Sequence, residues 1–100
     1  MANNVSVGNE AMHNWQAGTG TVGTTPAQIF PAEFKVTKYV VVRANAGNSG
    51  TISLNNSAVS ADGGFILAAG DTSPEIKIND LSKVWLVGSA ADQAFSWVSV

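Results

Sequence analysis

Few residues in this chain could do covalent chemistry. It has a single histidine, His13, no cysteine, and seven acidic residues scattered singly. Nucleophilic catalysis needs a Ser or Thr beside a base that a third group orients. His13 sits in a stretch rich in Asn, Gly and Thr, and no Gly-x-Ser-x-Gly elbow is present. A lone histidine there reads as an exposed polar residue or an interface contact. Two carboxyls facing across a cleft would serve glycoside hydrolysis. All the acids except Glu33 fall in or beside expected turns or in the N-terminal stretch, where solvation is their ordinary state. Asn79-Asp80 and Asp62-Gly63 are too sparse in oxygen for a calcium loop. Gly18-Thr19-Gly20 lacks the lysine and the strand-to-helix setting of a phosphate cradle. Without cysteine there are no disulfides, thiolate nucleophiles or Cys-type zinc sites. The expectation is a protein that is not an enzyme and holds no cofactor or metal.

The aromatic residues carry more information. Trp85 and Trp97 lie in the last two expected strands, and Phe95 shares a strand face with Trp97. Core packing is expected for at least one of the two tryptophans. Trp15 differs, because it stands near Met12 and His13 in a segment too polar to bury it. Large aromatics on such segments are typical interface anchors. Met12, His13, Trp15, Thr19 and Thr21 are therefore the candidate partner-binding residues.

The elements that must position these groups are all strands. Residues 38–44 are rich in β-branched residues and apolar on both sides, Val40 and Val42 on one face and Tyr39, Val41 and Arg43 on the other, as in a central strand. Residues 51–55 alternate, with Ile52 and Leu54 inward and Thr51, Ser53 and Asn55 toward water. Asp62-Gly63-Gly64 marks a reversal before the short strand Phe65-Ile66-Leu67. Residues 75–79 alternate again. Asp80 then suits the cap of a single helical turn, and strands at 84–88 and 94–100 close the chain. Short strands at this spacing indicate an all-β, single-domain β-sandwich or jelly-roll-like barrel. Residues 1–35 read instead as an extended N-terminal arm with short strands near Val5-Val7 and at 27–30, since its glycines lose much freedom on ordering. The sandwich domain is expected over residues 36–100.

At 100 residues the chain is one domain with one core. Charged residues make up 12% of it, about half the ~25% usual in soluble domains. Asn, Ser, Thr, Gly and Ala must therefore cover the surface, which favours stable contact with other protein. The five basic residues are not clustered, so nucleic acid is not an expected partner. No apolar run approaches the length of a membrane span, and a soluble protein without a membrane partner is expected.

The order of motifs in the second half resembles a family of small virion proteins of tailed bacteriophages, the capsid decoration or cement proteins. The residues that carry the likeness are Asn48-Ser49-Gly50-Thr51-Ile52-Ser53-Leu54, then Ala61-Asp62-Gly63-Gly64-Phe65-Ile66-Leu67-Ala68-Ala69-Gly70-Asp71. Ile78-Asn79-Asp80-Leu81-Ser82-Lys83-Val84-Trp85-Leu86-Val87-Gly88-Ser89 and Ala91-Asp92-Gln93-Ala94-Phe95-Ser96-Trp97 complete it. The likeness spans residues 36–100 and is one of strand, turn and glycine positions. It implies a β-sandwich subunit on the capsid exterior, made in the host cytoplasm. Such a subunit is often a homotrimer and clamps neighbouring copies of the major capsid protein. A carbohydrate-binding or host-attachment module of a phage tail or spike is the alternative. That alternative requires Trp85 or Trp97 on a solvent face, whereas the cement role requires those rings buried.

Overall fold

A computed structural model describes residues 15–60 and 63–100. Met12, His13, the expected strand at Val5-Val7 and Asp62 of the expected reversal lie outside them. The described chain is all-β, with two antiparallel sheets. Its strands are β1 (Gln16–Val22), β2 (Ala27–Gln28), β3 (Val40–Ala44), β4 (Ile52–Asn55), β5 (Phe65–Leu67), β6 (Trp85–Gly88) and β7 (Gln93–Ser99). A three-stranded sheet runs β1-β7-β3, and a four-stranded sheet runs β2-β6-β4-β5.

One apolar layer joins the sheets. Val40, Val42 and Ala44 of β3 and Phe95 and Trp97 of β7 meet Ile52 and Leu54 of β4, Leu67 of β5 and Leu86 of β6 in a single buried cluster. The alternation at 40–44 and 52–55 that the sequence predicts is what places these side chains on one face. Val22 and Ile29, from the segment read as an arm, belong to the same cluster, and Phe30 and Phe34 pack against it. Phe34 meets Trp97 edge-on, ring centroids 5.5 Å apart. Ala27–Gln28 joins the edge of the larger sheet beside β6.

The strand that the sequence pattern does not announce is β1. It pairs with β7 over its whole seven-residue length, from Gln16 opposite Ser99 to Val22 opposite Gln93. The reason lies across the ladder. Gly18 stands opposite Trp97 and Gly20 opposite Phe95. A Cβ on Gly18 would come within 2.7 Å of the indole, and one on Gly20 within 2.8 Å of the Phe95 ring. The glycines leave room for aromatic rings to lie across the strand, and those rings supply the burial that glycine cannot.

Other differences from the sequence expectation have local causes. The strand at 40–44 is not central; β7 is, and β3 flanks it. The far side of β3 is met by residues 70–76 through short contacts: Val40 exchanges both backbone hydrogen bonds with Ile76, and Val42 N–H donates to the Ser73 hydroxyl at 2.9 Å. Residues 75–79 therefore make a single isolated bridge, Ile76 with Val40, rather than a strand. Pro74 lacks an N–H, and a serine oxygen replaces a ladder carbonyl, so regular pairing cannot propagate. Ser53, expected toward water, is 1% exposed. Its ladder partner Val87 and loop residue Val59 are also buried, yet lie outside the main cluster, so this outer face is covered around Ser53, while its other ladder partner, Ile66, is 50% exposed.

The helical turn forms where expected, as a 3-10 turn over Leu81–Lys83 capped by Asp80. Asp80 Oδ1 accepts from Ser82 Oγ at 2.8 Å, Ser82 N–H at 3.0 Å and Phe34 N–H at 3.2 Å. These donors, led by the Ser82 hydroxyl, hold the Asp80 carboxyl below its ordinary value, with the Lys83 charge adding to them. A depressed folded pKa means that the stabilisation is complete above the unfolded value, about 3.9, and is lost as pH falls through the folded one. Thermal melts from pH 7 to pH 2 should show this loss only below about pH 4. Asp80→Asn, which keeps a capping oxygen but no charge, should flatten that part of the profile. An unchanged profile would mean that the cap does not depend on the charge.

Candidate protein-docking face

Buried polar groups are the first place to look for a reactive centre, and here Gln93 and Ser73 serve the fold. Gln93, 1% exposed, accepts Gly50 N–H at 2.7 Å and donates to Ala91 O and Ser49 Oγ. The Asn48 side chain exchanges two hydrogen bonds with the Ala94 backbone, both 2.8 Å. Together they staple the 46–50 turn to the start of β7. Ser73 Oγ, which receives Val42 N–H, donates to Pro74 O at 2.9 Å, so it is no free nucleophile. Among the described residues no three of His, Cys, Asp and Glu come together to hold a metal ion. No described helix is long and apolar enough to cross a membrane.

The aromatic residues divide. Trp97 is in the core at 6% exposure, and Trp85 is half-buried. Trp15, just before β1, is 67% exposed and is a free apolar surface.

The face that remains open is the outer side of the β1-β7-β3 sheet. Register places its side chains in rows: Ala17, Val98 and Val41; then Thr19, Ser96 and Arg43; then Thr21 and Ala94 beside Asn45. Thr19 and Thr21 are exposed, as are Arg43 and Asn45, and Val98 is 39% exposed. Thr19, Thr21, Arg43, Asn45, Ala94 and Ser96 border a shallow hollow of about 400 Å³. Arg43 is the charge in these rows. Small hydroxyls and methyls around one cation make a surface that is easily dried and has one polar fixing point.

Of the residues singled out from the sequence, Thr19 and Thr21 thus share one face, and Trp15 stands at the start of the strand that carries them. Arg43, which the strand alternation places on the side away from Val40 and Val42, belongs to the same face, and Asn45, Ser96 and Val98 join it without being candidates from the sequence. The alternation Ala94-Ser96-Val98 against Phe95-Trp97 is the sequence signal that could have found the β7 contribution.

A second concavity, about 510 Å³, opens at the flank of the sandwich between Leu54, Phe65, Ile76, Ile78 and Val84, with Asn55, Asn56 and Lys83 at its border. Phe65 is 50% exposed there. No family model and no curated protein matches the chain.

Proposed function

We propose that this protein is a non-enzymatic structural subunit that docks on another protein through the outer face of the β1-β7-β3 sheet, and that its place is on a phage capsid as a decoration protein. The observation that carries the docking reading is that face itself: small, neutral side chains in register around Arg43, with exposed Trp15 beside it. Commitment of buried Gln93 and Ser73 to hydrogen bonds within the fold supports a binding rather than a catalytic role. The capsid assignment rests on the resemblance of residues 36–100 to the decoration proteins. Burial of Trp97 and partial burial of Trp85 weigh against a stacking platform for sugars.

The test is co-sedimentation of the purified protein with phage heads assembled without it, followed by thermal disruption of the heads. Saturable binding and a raised disruption temperature are expected. Arg43→Glu should weaken binding by about tenfold or more, because a buried, unmatched carboxylate replaces a cation. Absence of binding would overturn the capsid assignment, and binding unaffected by Arg43→Glu would move the contact to another face.

A further inference from the structure

Among the described residues, nothing pairs with the β1 edge of the smaller sheet. Sheet edges are usually blunted by charge, proline, a bulge or shortness, because their free backbone groups template pairing with another chain. β1 is seven residues long, pairs with β7 without a bulge, and contains neither proline nor a charged residue. The other edges differ: β5 is three residues long, β2 is two, and β3 is met by residues 70–76.

Backbone direction along β1 follows from the ladder. Val40, Val42 and Ala44 turn their N–H and C=O groups away from β7, toward Ile76, Ser73, and the 70–71 turn. In an antiparallel sheet these directions alternate. Val41 and Arg43 therefore bond to Val98 and Ser96, which leaves Phe95, Trp97 and Ser99 facing β1. Their partners Gly20, Gly18 and Gln16 are thus bonded inward. Ala17, Thr19 and Thr21 consequently present their N–H and C=O groups to the open edge, with no partner among the described residues.

We infer that this edge pairs with the same edge of a second copy of the chain, antiparallel, with Thr19 on the twofold axis. In that register Thr19 meets Thr19, Ala17 meets Thr21, and each pair exchanges both N–H···O bonds. Gly18 comes opposite Gly20 on the inner side, so nothing bulky is opposed, and no charges face each other across the seam. Trp15 and Gly23 flank β1, so the same operation brings Trp15 to the end of the seam where Gly23 of the second copy leaves the strand, its carbonyl turned to Gly88 N–H. A Cβ at Gly23 would meet nothing within 4 Å, so that end of the seam has room for the exposed indole. The pairing is twofold, where the resemblance implies a trimer, and it does not rest on the capsid reading.

The test uses the full chain alone, by sedimentation equilibrium over micromolar to millimolar concentration. A monomer–dimer equilibrium is expected. Thr19→Pro removes an edge donor that no described residue accepts from, and proline is accepted on a strand edge. It should weaken the dimer by about a hundredfold. Trp15→Ala, at an exposed position, should weaken it by about tenfold or more. Far-ultraviolet circular dichroism checks that each variant stays folded, and Trp15→Ala alone decides if Thr19→Pro does not fold. Amide exchange should show Ala17, Thr19 and Thr21 protected in the dimer. A wild-type monomer, a trimer, or a dimer indifferent to Trp15→Ala would each overturn the inference. Protection of those amides in a monomer would assign the edge to the chain's own N-terminal residues instead. Capsid co-sedimentation is read separately, so either conclusion can fail alone.

Discussion

Trp97→Ala should cost about 3–5 kcal/mol in chemical denaturation, a large share of the roughly 5–15 kcal/mol that holds a domain of this size together. The indole is 6% exposed, meets Phe34 edge-on, and lies against Gly18 in the neighbouring strand. Removing it leaves a cavity at the place where β1 has no side chain of its own to fill the space. The loss should therefore appear first at β1, as faster amide exchange at Gly18 and Gly20 than in β4. The complementary variant, Gly18→Ala, puts a methyl 2.7 Å from three ring atoms and should cost about 1–3 kcal/mol by overpacking. Combined, the two should be much less than additive, because the alanine methyl no longer has a ring to meet. Additive losses would show that β1 is not held by the aromatic-over-glycine contact.

Gly64→Ala is the second large effect. Gly64 adopts φ +76°, and a Cβ there would overlap the carbonyl of Leu54, within the β4–β5 ladder. The left-handed backbone alone costs an L-residue about 1–2 kcal/mol. The overlap adds to it, since Leu54 is fixed by pairing with both Phe65 and Leu86 and cannot move aside. A loss of about 2–5 kcal/mol is expected from urea melts. Gly70→Ala isolates the first contribution. Gly70 has φ +86°, but its Cβ would come no nearer than 3.9 Å to Ala46. It should cost only the conformational part, about 1–2 kcal/mol. Equal losses at the two positions would mean that the Leu54 overlap relaxes freely.

These variants probe the features that were least legible in the sequence. β3, β4, β6 and β7 announce themselves, because short apolar runs in β3 and β6 and clean alternation in β4 and β7, each bounded by turn residues, are what a strand uses. The cap at Asp80 was legible for a similar local reason: a carboxylate just before a short turn satisfies donors that the turn leaves free. β1 was not, because Gln-Ala-Gly-Thr-Gly-Thr has neither apolar alternation nor strong strand preference. Its order depends on two rings more than seventy residues away in the chain, a separation fixed by the pairing of Gly18 with Trp97. Residues 75–79 erred the other way, showing alternation without a strand. Ile76 and Ile78 do pack against the core, but the ladder beside them is broken at Ser73 and Pro74.

The docking face has the same history. Thr19 and Thr21 were candidates because they lay near Trp15 in a polar segment, and the fold adds Ser96, Arg43 and Asn45 to them through register alone. Alternation in a strand states which residues share a side, and it is a local property that sequence carries in full. Which strands lie next to one another depends on contacts between distant segments, and a single sequence does not encode these as a pattern. The amino-acid sequence thus determined the all-β class, the inward residues of the strands at 40–44 and 52–55, and the capped turn. The tertiary structure decided that Gln16–Val22 is a strand, that its Ala17, Thr19 and Thr21 backbone groups face an edge with no partner among the described residues, and that the neutral face around Arg43 exists. Hydrophobic periodicity acts within one strand, whereas edges and faces exist only once strands have found their neighbours.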